Sequence, residues 1–206
     1  MLKQIFFLFI VRPIILIIAG VNLQGKENLP FEGPCIIAAN HNSHIDTMVL
    51  LSLFPISKIK RVRPVAAADY FLKNRFIAWF SKEIIEIIPL SRKAAKTQGH
   101  PLAEVIQALD NNEIVIIFPE GSRGESEELS SFKTGVAHLA KKFPNVPVIP
   151  VYIHGAGKCL PKGEALFVPF IIDVKLSEAI YFEDETNEAF TKKLEQKVIL
   201  LKGNEL

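Results

Sequence analysis

An apolar run that ends in a polar turn and continues into a second apolar run constrains this fold most. The first run covers Pro34–Ala38, the second covers Thr47–Leu51, and most of the residues between them are polar. This pattern is typical of a buried strand that enters a helix, with polar groups at the turn between them. In open α/β sheets such turns lie at the carboxyl edge, where ligands usually bind. The sequence therefore predicts a ligand site within Ala39–Asp46.

The rest of the chain alternates between predicted strands and helices. A length of 206 residues is most simply one domain with a substantial core. The alternation predicts an α/β fold, a single domain with a mixed β-sheet flanked by helices. Residues 21–33 read as a polar lead-in. The predicted strands are Pro34–Asn40, Lys58–Val65, Ile84–Leu90, Glu113–Phe118, Val146–Tyr152 and Phe170–Val174. The predicted helices are one from Asp46 to near Phe54, one containing Tyr70–Leu72 and Phe76–Phe80, and Pro101–Leu109, Phe132–Phe143 and Asn187–Leu201.

The first 20 residues are almost entirely apolar, and Lys3 and Arg12 are their only charges. Basic and acidic residues balance in the rest of the chain, so the net charge of +2 belongs to this segment. No overall basic charge indicates binding to nucleic acid.

This apolar segment could be a bilayer-spanning helix, a signal peptide or a membrane-interfacial helix. A bilayer-spanning helix needs about 20 apolar residues, whereas Arg12-Pro13 interrupts this shorter run. A signal peptide would need a cleavage site of small residues, which does not follow cleanly. We expect a membrane-interfacial helix, kinked at Pro13, with Arg12 reaching the lipid headgroups. Residues 1–22 are predicted to form this anchor and residues 23–206 the catalytic domain.

His41 and Asp46 lie at the two ends of the polar turn and predict a general-base pair. The aspartate would orient the imidazole and stabilise the imidazolium that forms when the base takes a proton. An alternative is a capping box, in which Ser43 accepts a bond from a first-turn amide and Asp46 reaches back. Asp46 would then stabilise the helix without taking part in chemistry.

Further motifs recur at the predicted strand ends. Their segments are Asn40–Asp46, Ile88–Arg92, Phe118–Arg123, Phe132–Gly135 and Val146–Val151. Taken together they resemble the blocks of the glycerophospholipid acyltransferases, the lysophosphatidate acyltransferase-like family with its His-x4-Asp motif. The resemblance covers roughly residues 25–175, with order and spacing intact.

The resemblance implies transfer of a fatty acyl group from acyl-CoA or acyl carrier protein to the free hydroxyl of a lysophospholipid. The leading acceptor is 1-acyl-glycerol-3-phosphate, which would give phosphatidic acid. His41 matches the general base and Asp46 matches its partner. The positions that match substrate-binding residues are Asn40, Arg92, Glu120, Gly121, Ser122 and Arg123.

The resemblance also implies the partners of the protein. These are membrane lipids, the acyl donor and the lysophospholipid, with no metal and no cofactor beyond the donor. We expect a membrane-associated protein at the cytoplasmic face, where thioester donors are made. Arg92 and Arg123 are expected to converge on the acceptor phosphate, because guanidinium groups bind phosphate in a planar fork.

Two departures from the family pattern leave the acceptor open. Glu86 and Ser91 stand where the second block usually has glycine and aspartate, and His44 stands where the family is often aromatic or apolar. A different lysolipid acceptor is therefore an alternative. A further alternative is a metal-dependent lipid hydrolase that uses His41, His44 and Asp46 as ligands.

Overall fold

The computed structural model describes residues 1–68, 74–90, 101–124, 128–160 and 166–203. Within these residues seven strands form one sheet in the order β1-β7-β6-β2-β5-β3-β4. β1 and β7 run parallel to each other and antiparallel to the other five, so the sheet is mixed as predicted. The strands are β1 Val21–Gln24, β2 Cys35–Ala39, β3 Val62–Ala67, β4 Ile88–Leu90, β5 Ile114–Ile117, β6 Val148–His154 and β7 Ile172–Leu176.

The three central strands carry the site. β2 pairs in parallel with β5 on one side and with β6 on the other. All five residues of β2 and all four of β5 are buried, because helices and loops cover both faces of the sheet. Parallel neighbours end at the same edge, so the turn after β2 meets the loop after β5 there.

The helices pack on both faces of the sheet. α1 (Leu2–Phe6) continues through two π-helical segments, Phe7–Val11 and Pro13–Ala19, and the whole is called the N-terminal helix. α3 (Arg75–Trp79) continues through a π-helical segment, Phe80–Ile85. The remaining α-helices are α2 Asp46–Ser52, α4 Ala103–Asp110, α5 Gly135–Lys142, α6 Ala156–Cys159 and α7 Asn187–Lys202.

The N-terminal helix packs one face onto the domain and exposes the other. Phe7, Val11 and Ile15 belong to the same buried cluster as the core-facing residues of α2. The side chain of Lys3 is fully buried, and its ammonium donates to the Val62 carbonyl at 2.8 Å and to the Glu86 carboxylate at 3.2 Å.

The structure turns Arg12 toward the domain, and its contact with lipid headgroups stays a prediction. Its guanidinium donates to the carbonyl oxygen of Phe54 at the end of α2, which draws the side chain onto the domain. Within the described residues, the helices are all too short or too polar to cross a bilayer.

Two predicted strands are present but begin later than predicted, because helical turns occupy the first part of each range. The predicted strand Ile84–Leu90 begins only at Ile88, since Phe80–Ile85 is helical. Glu86 ends this helical turn in the left-handed region, with φ of 59°. The predicted strand Lys58–Val65 begins at Val62, after a 3₁₀ turn over Ile59–Arg61.

Other bounds shift by a few residues. The polar lead-in contains β1, which pairs with β7 at the sheet edge. α5 begins at Gly135 instead of Phe132, and β7 covers Ile172–Leu176 instead of Phe170–Val174. The predicted helical residues Tyr70–Leu72 lie outside the described residues.

Candidate active site

The end of β2 places His41 at the carboxyl edge of the sheet. Asn40, the preceding residue, is 1% exposed. Its side-chain amide donates to the Ile153 carbonyl at 2.9 Å and accepts from the Ile153 N–H at 2.7 Å. This pair of bonds continues the contact between β2 and β6 by one residue and fixes the position from which His41 leaves the sheet.

Asp46 orients the imidazole of His41. The Oδ2 atom of Asp46 lies 2.9 Å from His41 Nδ1 and also accepts the backbone N–H groups of Asn42 and Ser43, both at 2.8 Å. The aspartate is 1% exposed, whereas the His41 side chain is 19% exposed. The pair therefore joins a buried carboxylate to a ring that reaches the surface of the site.

The capping box predicted as an alternative is present in a modified form. Asp46 accepts the Ser43 N–H at 2.8 Å, and Ser43 Oγ accepts the Ile45 N–H at 3.4 Å while its hydroxyl donates to the Leu160 carbonyl at 2.8 Å. The N-terminal position of α2 has no side-chain capping bond. The same carboxylate oxygen of Asp46 thus holds both the turn and the histidine.

The loop after β5 clamps His41 from the other side. Glu120 Oε1 accepts the backbone N–H of His41 at 3.0 Å, and Gly124 donates its N–H to the His41 carbonyl at 2.9 Å. The ring of Phe118 stacks on the imidazole, with centroids 4.0 Å apart and planes at 18°. The prediction that the His41 turn and the Glu120 loop lie side by side is therefore confirmed.

Glu120 is a buried residue whose carboxylate binds two backbone segments. It is 3% exposed, and its second oxygen, Oε2, accepts the N–H of Ser130 at 3.4 Å. Burial raises the pKa of its carboxyl group, while the bonds from His41 and Ser130 oppose this change. Each carboxylate oxygen of Glu120 is thus engaged by a backbone donor.

Arg123 places a positive charge near His44. His44 is exposed as a residue, but partial desolvation of its ring, followed by the charges of Arg123 and His41, lowers its pKa to about 4. His44 is therefore neutral near pH 7. Ser122 is exposed, and Gly121 adopts a φ of 72°, in the left-handed region that favours glycine.

Some of the remaining predicted site residues lie in the described part of the chain and others lie outside it. Arg92 lies outside the described residues, as does the expected convergence of Arg92 with Arg123. The described residues contain no group of three His, Cys, Asp or Glu side chains arranged to hold a metal ion. His138 lies on α5 beside Asn187, and His154 ends β6.

The sequence interpretation assigned no role to two neighbours of the site. Phe118 stacks on the His41 imidazole, and the signal for it was an aromatic residue at the end of a buried strand. Lys133 lies against Gly121 although 12 residues separate them. The matching Phe-Lys-x-Gly segment was the only sign of Lys133, since the contact depends on how two loops fold together.

Comparisons with known proteins agree with these motifs. The acyltransferase family model matches residues 20–154. A chloroplastic 1-acyl-sn-glycerol-3-phosphate acyltransferase of Brassica napus is 32% identical over 143 residues, which cover 69% of this chain and 39% of the relative. A 1-acyl-sn-glycerol-3-phosphate acyltransferase of Pseudomonas aeruginosa is 29% identical over 180 residues, which cover 85% of this chain and 66% of the relative.

A solved structure shares the architecture. The 1-acyl-sn-glycerophosphate acyltransferase PlsC of Thermotoga maritima aligns with a TM-score of 0.71 and 26% identity, over 90% of this chain and 72% of that one. The chain spans about two fifths of the length of the chloroplastic relatives that it matches. The family resemblance predicted from the motifs is confirmed, and the chain belongs to the acyltransferase family.

Proposed function

We propose that this protein transfers a fatty acyl group from a thioester to the free hydroxyl of a lysophospholipid. The observation that carries the proposal is the His41–Asp46 pair, 2.9 Å apart, on a ring held by Phe118 and a backbone held by Glu120. An alcohol is a poor nucleophile until its proton leaves, and a positioned imidazole can remove that proton.

The geometry supports Nε2 of His41 as the atom that takes the proton. Asp46 accepts from Nδ1, which fixes the tautomer with its lone pair on Nε2. As the acceptor oxygen attacks the thioester carbonyl, its proton moves to Nε2 and the buried carboxylate stabilises the imidazolium. The C–S bond then breaks, and the proton passes from His41 to the departing sulfur.

The acceptor in this proposal is 1-acyl-glycerol-3-phosphate, and the product is phosphatidic acid. Arg123 supports a phosphate-bearing acceptor, because its charge lies near His44. Arg92 is the second expected phosphate ligand. The donor is acyl-CoA or acyl carrier protein, and no further cofactor is invoked.

Asn40 and Glu120 take positioning roles in this mechanism, with side chains turned toward backbone groups. Both are almost fully buried, and both hold the segment that carries His41. Their contribution is to keep Nε2 at the position that the acceptor hydroxyl approaches. Small displacements of a catalytic group carry large costs in rate, so rigid support of this kind is part of catalysis.

The N-terminal helix supports association with a membrane surface, for which we propose the cytoplasmic face. Its outward side is apolar, with Phe9 70% and Ile17 79% exposed. Phe6 contacts Phe80 edge to face at 5.2 Å, which joins this helix to the segment following α3. α3 adds exposed Phe76 and Trp79 beside it. An amphipathic surface of this kind is suited to lie in the headgroup region.

A panel of lysolipid acceptors tests the proposal. Purified protein is incubated with an acyl thioester and either 1-acyl-glycerol-3-phosphate or lysophosphatidylcholine, in the presence of EDTA, and lipid products are identified by mass. We expect phosphatidic acid that depends on the phosphate-bearing acceptor. Thioester hydrolysis without any acceptor, abolished by EDTA, would favour the metal-dependent hydrolase instead.

A further inference from the structure

Lys133 lies across Gly121 in the loop that follows β5. A Cβ atom built on Gly121 would stand 2.7 Å from Lys133 Nζ, 3.2 Å from Cδ and 3.3 Å from Cε. The backbone N–H of Lys133 donates to the Pro119 carbonyl at 2.9 Å. Both the backbone and the ammonium end of this lysine are therefore held against the same loop.

This loop is the one that holds the catalytic histidine. Glu120 accepts from the His41 N–H, Gly124 donates to the His41 carbonyl, and Arg123 lies between them in sequence. The ammonium of Lys133 is thus brought to the element that carries Arg123. Gly121 permits this approach, because a side chain at that position would collide with the lysine.

The charge of Lys133 has no structural counter-ion among the described residues. The described ion pairs do not include it. Glu120 has each oxygen engaged by a backbone N–H. His44 supplies no second positive charge near pH 7, because its pKa is lowered to about 4. A phosphate monoester carries up to two negative charges at neutral pH, so a cation in addition to Arg123 suits it.

We propose that Lys133 is a phosphate-binding residue whose ammonium, placed over Gly121, shares the phosphate group of the acceptor with Arg123. This inference rests on the proposed function and names a residue that recognises its substrate. A phosphate group can also enter with the donor, as part of coenzyme A or the phosphopantetheine of acyl carrier protein. The proposal commits to the acceptor, and the experiment separates the two sources.

The test compares Lys133→Met with wild type and with Lys142→Met, an exposed lysine at the end of α5, the helix that follows Lys133 in sequence. We expect Lys133→Met to raise KM for 1-acyl-glycerol-3-phosphate by about 10- to 100-fold with a smaller change in kcat, as a lost charge-assisted bond does. Lys142→Met should match wild type, and Lys133→Arg should restore part of the affinity. Melting temperatures establish that the variants are folded.

The source of the phosphate is settled by repeating the assay with an acyl-N-acetylcysteamine thioester, a donor without phosphate. The higher KM for the acceptor should persist with this donor. An effect seen only with acyl-CoA would overturn the assignment, because Lys133 would then bind the donor.

Gly121→Ala provides a second, independent test of the role of Lys133. Its methyl group should displace the lysine, so its effect on KM should be smaller in the Lys133→Met background than in wild type. Fully additive effects, or wild-type kinetics for Lys133→Met, would overturn the inference and leave acyl transfer standing. Absence of acyl transfer by wild-type protein to any lysolipid would overturn the proposed function together with it.

Discussion

At the scale of single residues, Asp46 contributes both to the fold and to the proposed chemistry. One of its oxygens accepts two backbone N–H groups of the turn and the Nδ1 proton of His41. The capping and catalytic interpretations of this aspartate are therefore not exclusive. A substitution at this position separates them only if it preserves the acceptor oxygen.

Asp46→Asn is such a substitution. The amide oxygen can still accept the N–H groups of Asn42 and Ser43, whereas the negative charge that stabilises the imidazolium is lost. We expect Tm to stay close to that of wild type, because asparagine caps about as well as aspartate, and kcat to fall by about 10²- to 10⁴-fold, as for impaired general-base catalysis. Thermal unfolding and steady-state kinetics on the same preparation measure both. Unchanged kcat would mean that Asp46 serves the fold alone.

At the scale of elements, the buried strands were predictable and the edges were not. The central strands β2 and β5 lie within their predicted ranges, and β6 overlaps its predicted range but continues to His154, because each is a short apolar run bounded by turn residues. β1 was missed because an edge strand alternates polar and apolar residues over only four positions. Ile84 and Ile85 were assigned to a strand, since periodicity alone cannot distinguish a short buried helix from a strand.

The residues of the site and Lys3 also differ in whether the sequence predicts their positions. His41, Asp46 and the Glu120 loop were predictable because they follow adjacent parallel strands, which meet at one edge. The burial of Lys3 was not predictable, since a charge in an apolar N-terminal segment ordinarily faces water. Its partners, the Val62 carbonyl and Glu86, lie far along the chain and become neighbours only in the folded protein.

The burial of Lys3 predicts that the free energy of unfolding depends on pH. Burial lowers its pKa to about 8 from its ordinary value of 10.5, while Glu86 opposes the shift. Above pH 8 the folded protein releases this proton and the unfolded chain keeps it until about pH 10. The contribution of Lys3 to the free energy of unfolding therefore rises with pH in this window, by at most about 1.4 kcal/mol per pH unit.

Denaturant unfolding between about pH 7.5 and pH 9.5 measures this effect. As pH rises, the free energy of unfolding of wild type should increase relative to that of Lys3→Met. The difference between wild type and Lys82→Met, a substitution at an exposed lysine, should stay constant. Parallel curves for wild type and Lys3→Met would contradict the buried position of the ammonium. Local repacking around Met shifts the variant curve at every pH, so the slope is the informative quantity.

At the scale of the whole molecule, the N-terminal helix is both part of the core and the outer apolar surface. Removing it would take Phe7, Val11, Ile15 and the buried Lys3 out of the domain. A deletion would therefore test folding and membrane binding together. Substitutions confined to the outward face separate the two properties.

We expect the double variant Phe9→Gln and Ile17→Gln to bind membranes less strongly and to remain folded. Both side chains are mostly exposed, and each would lose about 1.5–3 kcal/mol of burial in the membrane interface. We expect co-sedimentation with anionic phosphatidylglycerol vesicles to fall by at least about 10-fold at unchanged Tm. Phe31→Gln, at an exposed phenylalanine in a loop, serves as the control. Equal vesicle binding by the double variant would place the membrane contact elsewhere.

The central claim is that His41 takes the proton of the acceptor hydroxyl, and one measurement tests it most directly. Single-turnover acyl transfer to 1-acyl-glycerol-3-phosphate is followed for wild type and His41→Ala at equal folded concentration, with acceptor binding measured separately. We expect that His41→Ala still binds the acceptor, keeps a Tm close to that of wild type, and forms phosphatidic acid at least about 10²-fold more slowly. Formation of phosphatidic acid by folded His41→Ala at the wild-type rate would contradict it.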